Sequence, residues 1–143
     1  MSAPFQFQRR VQFRDTDAAG IVHFSVFFNY MEEAECALLR HLGLSVVMED
    51  DQGRFSFPRV AAQCNYRQPL QFGDDVLVCV TVAKLGTSSI IYNFEFSRDD
   101  LRIADGQVTA VCCRLNDEDV PSSTPLPAAV SNKLSGFVIS ESS

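Results

Sequence analysis

The order of hydrophobic periods along the chain predicts an α+β domain in which one helix lies against a single face of an antiparallel β-sheet. Three observations carry this. An alternating apolar and polar stretch opens the chain, a segment of helical period follows a short polar loop, and four runs of β-formers then succeed one another across very short links.

Residues 5–13 place Phe5, Phe7, Val11 and Phe13 on one parity and Gln6, Gln8, Arg10 and Gln12 on the other, Arg9 being the exception, and so predict a half-buried strand. Residues 14–20 break that alternation; they are polar and end in Gly20, which predicts a loop with an unusual backbone turn. From 25 to 42, Phe27, Tyr30, Met31, Ala34, Leu38 and His41 or Leu42 share one broad face, and Gly43 supplies a stop. Phe28 and Leu39 widen the apolar surface, so the reading is of a long central helix wrapped by other elements. Residues 49–53 read as a polar, mobile connection. The β-rich runs are 55–66, 76–85, 89–96 and 103–115, with turn signals at 72–75, 86–87 and 98–100. Links this short predict an antiparallel meander in one sheet. The Pro- and Ser-rich tail from Asp117 is expected to hold order only over 126–138, as a short helix.

With 46% hydrophobic and 21% charged residues, the 143-residue chain fits a single domain, 1–143, with its core at about 5–115 and its tail at 117–143. Twelve Phe and three Tyr against no Trp suit one apolar layer packed on another. A net charge of -6 with no run of Lys and Arg argues against nucleic acid as a partner, yet a few arginines can still hold phosphates locally. The five cysteines are odd in number and lack metal-ligand spacing, so they read as core thiols in a reducing compartment. No apolar segment near the N-terminus resembles a leader, and no run of eighteen apolar residues occurs, so a cytoplasmic protein without a membrane span is expected.

Chemistry concentrates in Asp15-Thr16-Asp17-Ala18-Ala19-Gly20-Ile21-Val22-His23-Phe24, which runs into Phe27-Phe28-Asn29-Tyr30-Met31-Glu32-Glu33-Ala34. A D-x-D-x-x-G loop, an apolar pair, an aromatic or His position and an aromatic-rich helix with a Glu follow in that order. Pro58-Arg59-Val60, Tyr66-Arg67-Gln68-Pro69-Leu70 and Gly73-Asp74-Asp75-Val76 continue the pattern. Over about residues 7–115 the chain resembles the 4-hydroxybenzoyl-CoA thioesterase-like family of hotdog-fold proteins.

That resemblance implies an acyl-CoA thioesterase with Asp17 as its catalytic carboxylate, as nucleophile on the thioester carbonyl or as general base on water. It places the oxyanion and substrate contacts at Gly20, His23 and Phe24, where backbone N–H groups meet the positive end of the helix dipole. A thiolate leaves without much protonation, so no metal and no cofactor is required; CoA is part of the substrate. Where some family members carry a basic cluster between two long strands, this chain has Gly86-Thr87-Ser88-Ser89. CoA contacts are therefore expected from Arg59, Lys84 and Ser89, with Arg98 and Arg102 as further cations. The resemblance also implies a homo-oligomer, a dimer or a homotetramer built as a dimer of dimers, with active sites at the dimer interface; pairing two sheets would protect an exposed edge strand and the uncovered sheet face.

Other readings of the same residues stand beside these. Asp17 could form an Asx-turn or a helix cap, and Asp15 reads as such a loop carboxylate. His23 fits packing, a substrate contact or a general base paired with Asp17. Glu32 and Glu33 read as solvated residues near the helix start. For the whole chain, a hotdog enoyl-CoA hydratase or dehydratase using Asp17 with His23 is the alternative enzyme, and a non-catalytic acyl-CoA-binding module is the alternative binder.

Overall fold

A computed structural model describes residues 3–115 and 122–139. In chain order the elements are β1 (Phe5–Arg10), a 3-10 turn (Phe13–Asp15), α1 (Val26–His41), β2 (Val47–Asp50), β3 (Gly53–Ser56), β4 (Arg59–Tyr66), β5 (Asp75–Leu85), β6 (Ser89–Arg98), β7 (Leu101–Val111), β8 (Cys113–Leu115), β9 (Ser122–Ser123), α2 (Ala128–Leu134) and a second 3-10 turn (Ser135–Phe137). Five strands form an antiparallel sheet in the order β1-β5-β6-β7-β4. The α+β layout expected from the sequence is present, with two differences in the sheet.

The first is a second, four-stranded sheet in the order β2-β3-β8-β9. The stretch expected to be mobile is a hairpin, with Val47 opposite Ser56 and Asp50 opposite Gly53. The run 55–66 divides between the two sheets, because Pro58 has no N–H to give a ladder and Phe57 turns into the core. The run 103–115 divides likewise at Cys112, whose N–H donates to the Ser88 carbonyl. The second difference is strand order. Only β5-β6-β7 is a meander; β4 crosses over to pair with β7, and β1 pairs with β5.

The core is the inner face of the large sheet. Val78, Val80 and Val82 lie opposite Phe96, Phe94 and Tyr92, and these lie in turn opposite Ala104, Gly106 and Val108. Large residues on β6 thus meet small ones on β7, which leaves a trough for the helix. Into it α1 lays Phe27, Tyr30, Met31, Ala34 and Leu38, all buried and spaced by three or four residues. Gly106 is needed here for space: a Cβ on it would stand 2.5 Å from Met31 Sδ and 3.1 Å from the Gln63 carbonyl oxygen.

The helix is sixteen residues long and is not wrapped by the described chain. Asn29, Glu32 and Arg40 form an exposed stripe along it. Inside, Glu35 is only 1% exposed, with its carboxylate 2.9 Å from the Arg59 guanidinium on β4. Burial pushes the Glu35 carboxyl above the ordinary range, opposed by the charge of Arg59, while Glu32 pushes it further up.

Phe13, expected in the core, is 77% exposed, because the chain leaves the strand at Arg10 and the 3-10 turn rotates it outward. The tail forms the expected short helix, α2, but its order begins earlier than expected, because Ser122 and Ser123 pair with Arg114 and Cys113 as β9 and the Thr124 N–H donates to the Cys112 carbonyl. Val130 and Leu134 of α2 are buried, and Val138 bridges Val82 in parallel, covering the β5 edge beyond the end of β1. The rest of the tail expectation falls on 117–121 and 140–143, outside the described residues. Among the described residues no helix is long and apolar enough to cross a membrane.

Two stability predictions follow from this packing. A Gly-to-Ala change in a strand normally stiffens the unfolded chain and stabilises slightly; Gly106→Ala should instead lower stability by about 1–3 kcal/mol in denaturant titration, because Met31 and the Gln63 backbone must yield. Arg59→Met leaves a buried carboxylate without its cation, with Tyr92, Cys36 and Glu32 nearby and no replacement charge. Raising the folded-state pKa of an acid removes stability as pH climbs. The loss relative to wild type should therefore be small below about pH 4 and reach about 3 kcal/mol near neutrality, measured as the difference in unfolding free energy across pH.

Candidate active site

The loop between β1 and α1 closes on itself at Asp17. Its N–H donates to the Ile21 carbonyl at 2.9 Å, its carbonyl accepts the Gly20 N–H at 2.9 Å, and its Oδ1 accepts the Ala19 N–H at 2.9 Å. Gly20 sits at φ +81 with open space where a Cβ would stand, so left-handed backbone and not crowding selects glycine there. Thr16 bridges Val22, and the Val22 N–H donates to the Leu70 carbonyl, which pins the turn onto the segment after β4. The Asx-turn reading of Asp17 is thus realised by Oδ1, while Oδ2 has no protein donor among the described residues.

Asp15 is more than a loop carboxylate. It is 6% exposed, and its Oδ2 accepts the Tyr30 hydroxyl and the Gln12 N–H, each at 2.8 Å, with the Arg9 guanidinium at 3.3 Å. Arg9 also donates to Glu33 at 2.7 Å and lies 4.9 Å over the Tyr30 ring. Burial, then the Asp15 hydrogen bond, pushes the Tyr30 phenol far up, so it remains a donor. Glu33, expected to be a solvated helix residue, is thereby tied to β1. The long-range partners Arg9 and Tyr30 gave no local signal beyond the odd parity of Arg9 in its strand.

At the helix entrance the His23 N–H donates to the Asp15 carbonyl at 3.0 Å, and the His23 carbonyl accepts the Val26 N–H at 2.9 Å. In a trans peptide the Phe24 N–H points opposite to that carbonyl. It has no acceptor among the described residues, so Phe24 and not His23 offers the unclaimed backbone donor. The His23 ring stacks on Phe24 at 4.5 Å, and its Nδ1 accepts the Ser25 N–H at 3.2 Å with Ser25 Oγ at 2.8 Å. This assigns the ring proton to Nε2. No hydrogen bond joins His23 to Asp17 among the described residues, so the pairing that a hydratase reading uses is not built.

Asp17 and Phe24 line one cleft of about 470 Å³, walled by Ile21, Val22, Phe27, Tyr66 and Pro69, with Arg67 and Gln68 also on its lining. Phe27 meets Tyr66 edge to face at 5.1 Å and Phe96 at 5.4 Å. The Tyr66 hydroxyl donates to the Phe24 carbonyl at 2.8 Å, and burial helps push that phenol up to about 12, which keeps it protonated at neutral pH. Tyr66 and Arg67 belong to the sequence pattern noted above, but nothing local assigns them to the same cleft as Asp17.

The cations expected for CoA do not gather here within one chain. Arg59 holds Glu35 at the far end of β4, roughly 23 Å along the strand from Tyr66. Lys84 and Ser89 flank the β5–β6 turn, remote from the Phe96 end of β6. Arg102 pairs with Glu95 at 2.9 Å, whereas Arg98 reaches the rim, donating to the Pro69 carbonyl at 3.3 Å and to Asp74 at 2.9 Å. The five cysteines are free, and burial raises the thiols of Cys36, Cys64, Cys79 and Cys112, against a nucleophilic role.

Comparison with known proteins places this geometry in a family. A profile of the thioesterase-like superfamily matches residues 11–134. A 1,4-dihydroxy-2-naphthoyl-CoA hydrolase of Thermosynechococcus vestitus is 32% identical over 124 residues, covering 85% of this chain and 85% of that protein. The crystal structure of a 1,4-dihydroxy-2-naphthoyl-CoA thioesterase from Synechocystis superposes with a TM-score of 0.80 at 28% identity, over 92% of this chain and 95% of that one. A gentisyl-coenzyme A thioesterase superposes with a TM-score of 0.78 at 28% identity, over 91% and 99%. Sequence profile and fold agree, and the chain belongs to the thioesterase-like superfamily with the hotdog fold.

Proposed function

We propose that the chain hydrolyses acyl-CoA thioesters to the free acid and CoA, with Asp17 as the catalytic carboxylate and the Phe24 N–H as the oxyanion donor. The observation that carries this reading is that Asp17 and Phe24 line one aromatic-walled cleft, with a carboxylate oxygen that has no protein donor and a backbone N–H that has no acceptor among the described residues. As the thioester carbonyl becomes tetrahedral, charge develops on its oxygen, where the N–H and the positive end of α1 stabilise it. Asp17 either attacks the carbonyl carbon, giving an anhydride that water then opens, or takes a proton from attacking water; in both routes the C–S bond breaks and CoA leaves as thiolate. No cofactor is called for. Phe24, Phe27 and Tyr66 suit a flat acyl group, in keeping with the aryl-CoA names of the relatives, so aromatic acyl-CoAs should lead in a substrate panel.

The working unit in this reading is a dimer formed by β4. That strand pairs with β7 on one side and has no partner strand on the other among the described residues, and most of its residues are exposed, Val60 at 63% and Tyr66 at 45%. Antiparallel pairing with a second copy would satisfy the edge and bring the Arg59 end of one strand beside the Tyr66 end of the other. Arg59 is then the CoA contact nearest a cleft, and Arg98 the one supplied by the same chain. Two such dimers make the tetramer that the resemblance implies, and the cytoplasm is the compartment.

Thiol release from a panel of aryl-, short- and long-chain acyl-CoAs tests the chemistry. Asp17→Asn should lower it at least about a hundredfold with the melting curve unchanged, and equal release by both proteins would remove Asp17 from the mechanism. Val60→Glu, which would set two carboxylates at the paired edge, should halve the mass seen by light scattering and abolish release; an active species of unchanged mass would place the interface elsewhere.

A further inference from the structure

The Phe24 carbonyl lies one residue ahead of Ser25, the N-cap of α1, and so outside the helix ladder. Phe28 is the third residue of α1, and its N–H is among those at a helix start that the regular ladder leaves without a partner. It donates to the Ser25 carbonyl at 3.2 Å, and the Phe24 carbonyl accepts the Tyr66 hydroxyl at 2.8 Å. The side chain making this contact comes from the last residue of β4, forty-two positions away, and its ring is wedged edge-on against Phe27. On the other side of Phe24, the His23 carbonyl is held by the Val26 N–H and the His23 N–H by the Asp15 carbonyl. The peptide plane before Phe24 is thus held through the His23 carbonyl, and the plane after it by the Tyr66 hydroxyl on the Phe24 carbonyl together with the Ser25 N–H on His23 Nδ1.

We infer that Tyr66 is a positioning residue for thioester hydrolysis, whose hydroxyl, by holding the Phe24 carbonyl, aims the neighbouring Phe24 N–H at the developing oxyanion. This rests on the reading of Phe24 as the oxyanion donor. A donor on a loop-to-helix junction has φ and ψ of its own residue as soft variables, and the Tyr66 bond removes one of them. Oxyanion donors act in the transition state more than in the ground state, so the clamp acts on kcat and leaves KM nearly alone. It is also indifferent to the acyl group, whereas a Tyr66 that simply walled the cleft would show up in substrate preference.

Tyr66→Phe keeps the ring and its packing on Phe27 and deletes only the hydroxyl. With benzoyl-CoA and hexanoyl-CoA as probes, kcat for thiol release should fall roughly tenfold or more, by the same factor for both, with KM within about twofold of wild type. An unchanged kcat, a rise confined to KM, or a factor that differs between the two substrates would overturn the inference. Amide exchange by NMR reads the clamp without turnover: the Ser25 amide, in the peptide plane that Tyr66 holds, should exchange faster in Tyr66→Phe, and identical exchange would also overturn it. Failure of the wild-type protein to release thiol from either substrate would instead sink the hydrolase reading, with the exchange experiment still deciding whether the clamp exists.

Discussion

A carboxylate taken out of water has to be given its hydrogen bonds by the protein, and at Asp15 that requirement ties three parts of the chain together. Tyr30 reaches it from the helix, Arg9 from the first strand and the Gln12 N–H from the turn between them. With the carboxylate fixed, its own backbone carbonyl is in place for the His23 N–H, which sets where the loop ends and the helix begins. The turn that bears Asp17 hangs between these two points. Its short internal hydrogen bonds can hold its shape, while the buried anchor two residues earlier holds it against the helix and the Val22 N–H on the Leu70 carbonyl holds it against the segment after β4.

The same economy of partners appears where the helix meets the far edge of the sheet. Glu35 is buried on α1 against Arg59 at the start of β4, and such a pair adds little net stability while being costly to break. It specifies which part of the edge strand lies beneath the helix. At the opposite end of β4, Tyr66 meets the helix through the Phe24 carbonyl and the Phe27 ring. The edge strand is therefore fastened to α1 at both ends.

Chemically the cleft is spare. Asp17 and Phe24 line it within aromatic walls, and no hydrogen bond joins a histidine to Asp17 among the described residues. A thioester suits such a site, since sulfur leaves readily as thiolate and the developing charge sits on the carbonyl oxygen, where a helix start with an unclaimed N–H can meet it.

Much of this is legible in the sequence itself. Alternation in β1, β5 and β6 and the helical spacing of Phe27, Tyr30, Met31, Ala34 and Leu38 mark the inner faces directly, because burial on one side imposes a period that local sequence must carry. Gly20 and the acidic loop before the helix likewise announce a turn with a carboxylate in it, since left-handed backbone selects its residue type locally. Tertiary structure alone decided the rest: the crossover that puts β4 beside β7, the split of two β-rich runs between two sheets, the outward turn of Phe13, and the contacts of Asp15 with Arg9 and Tyr30 and of Tyr66 with Phe24. Each of these depends on which distant donor or apolar surface is at hand once the chain has closed, and periodicity along a strand or a helix holds no record of partners tens of residues away.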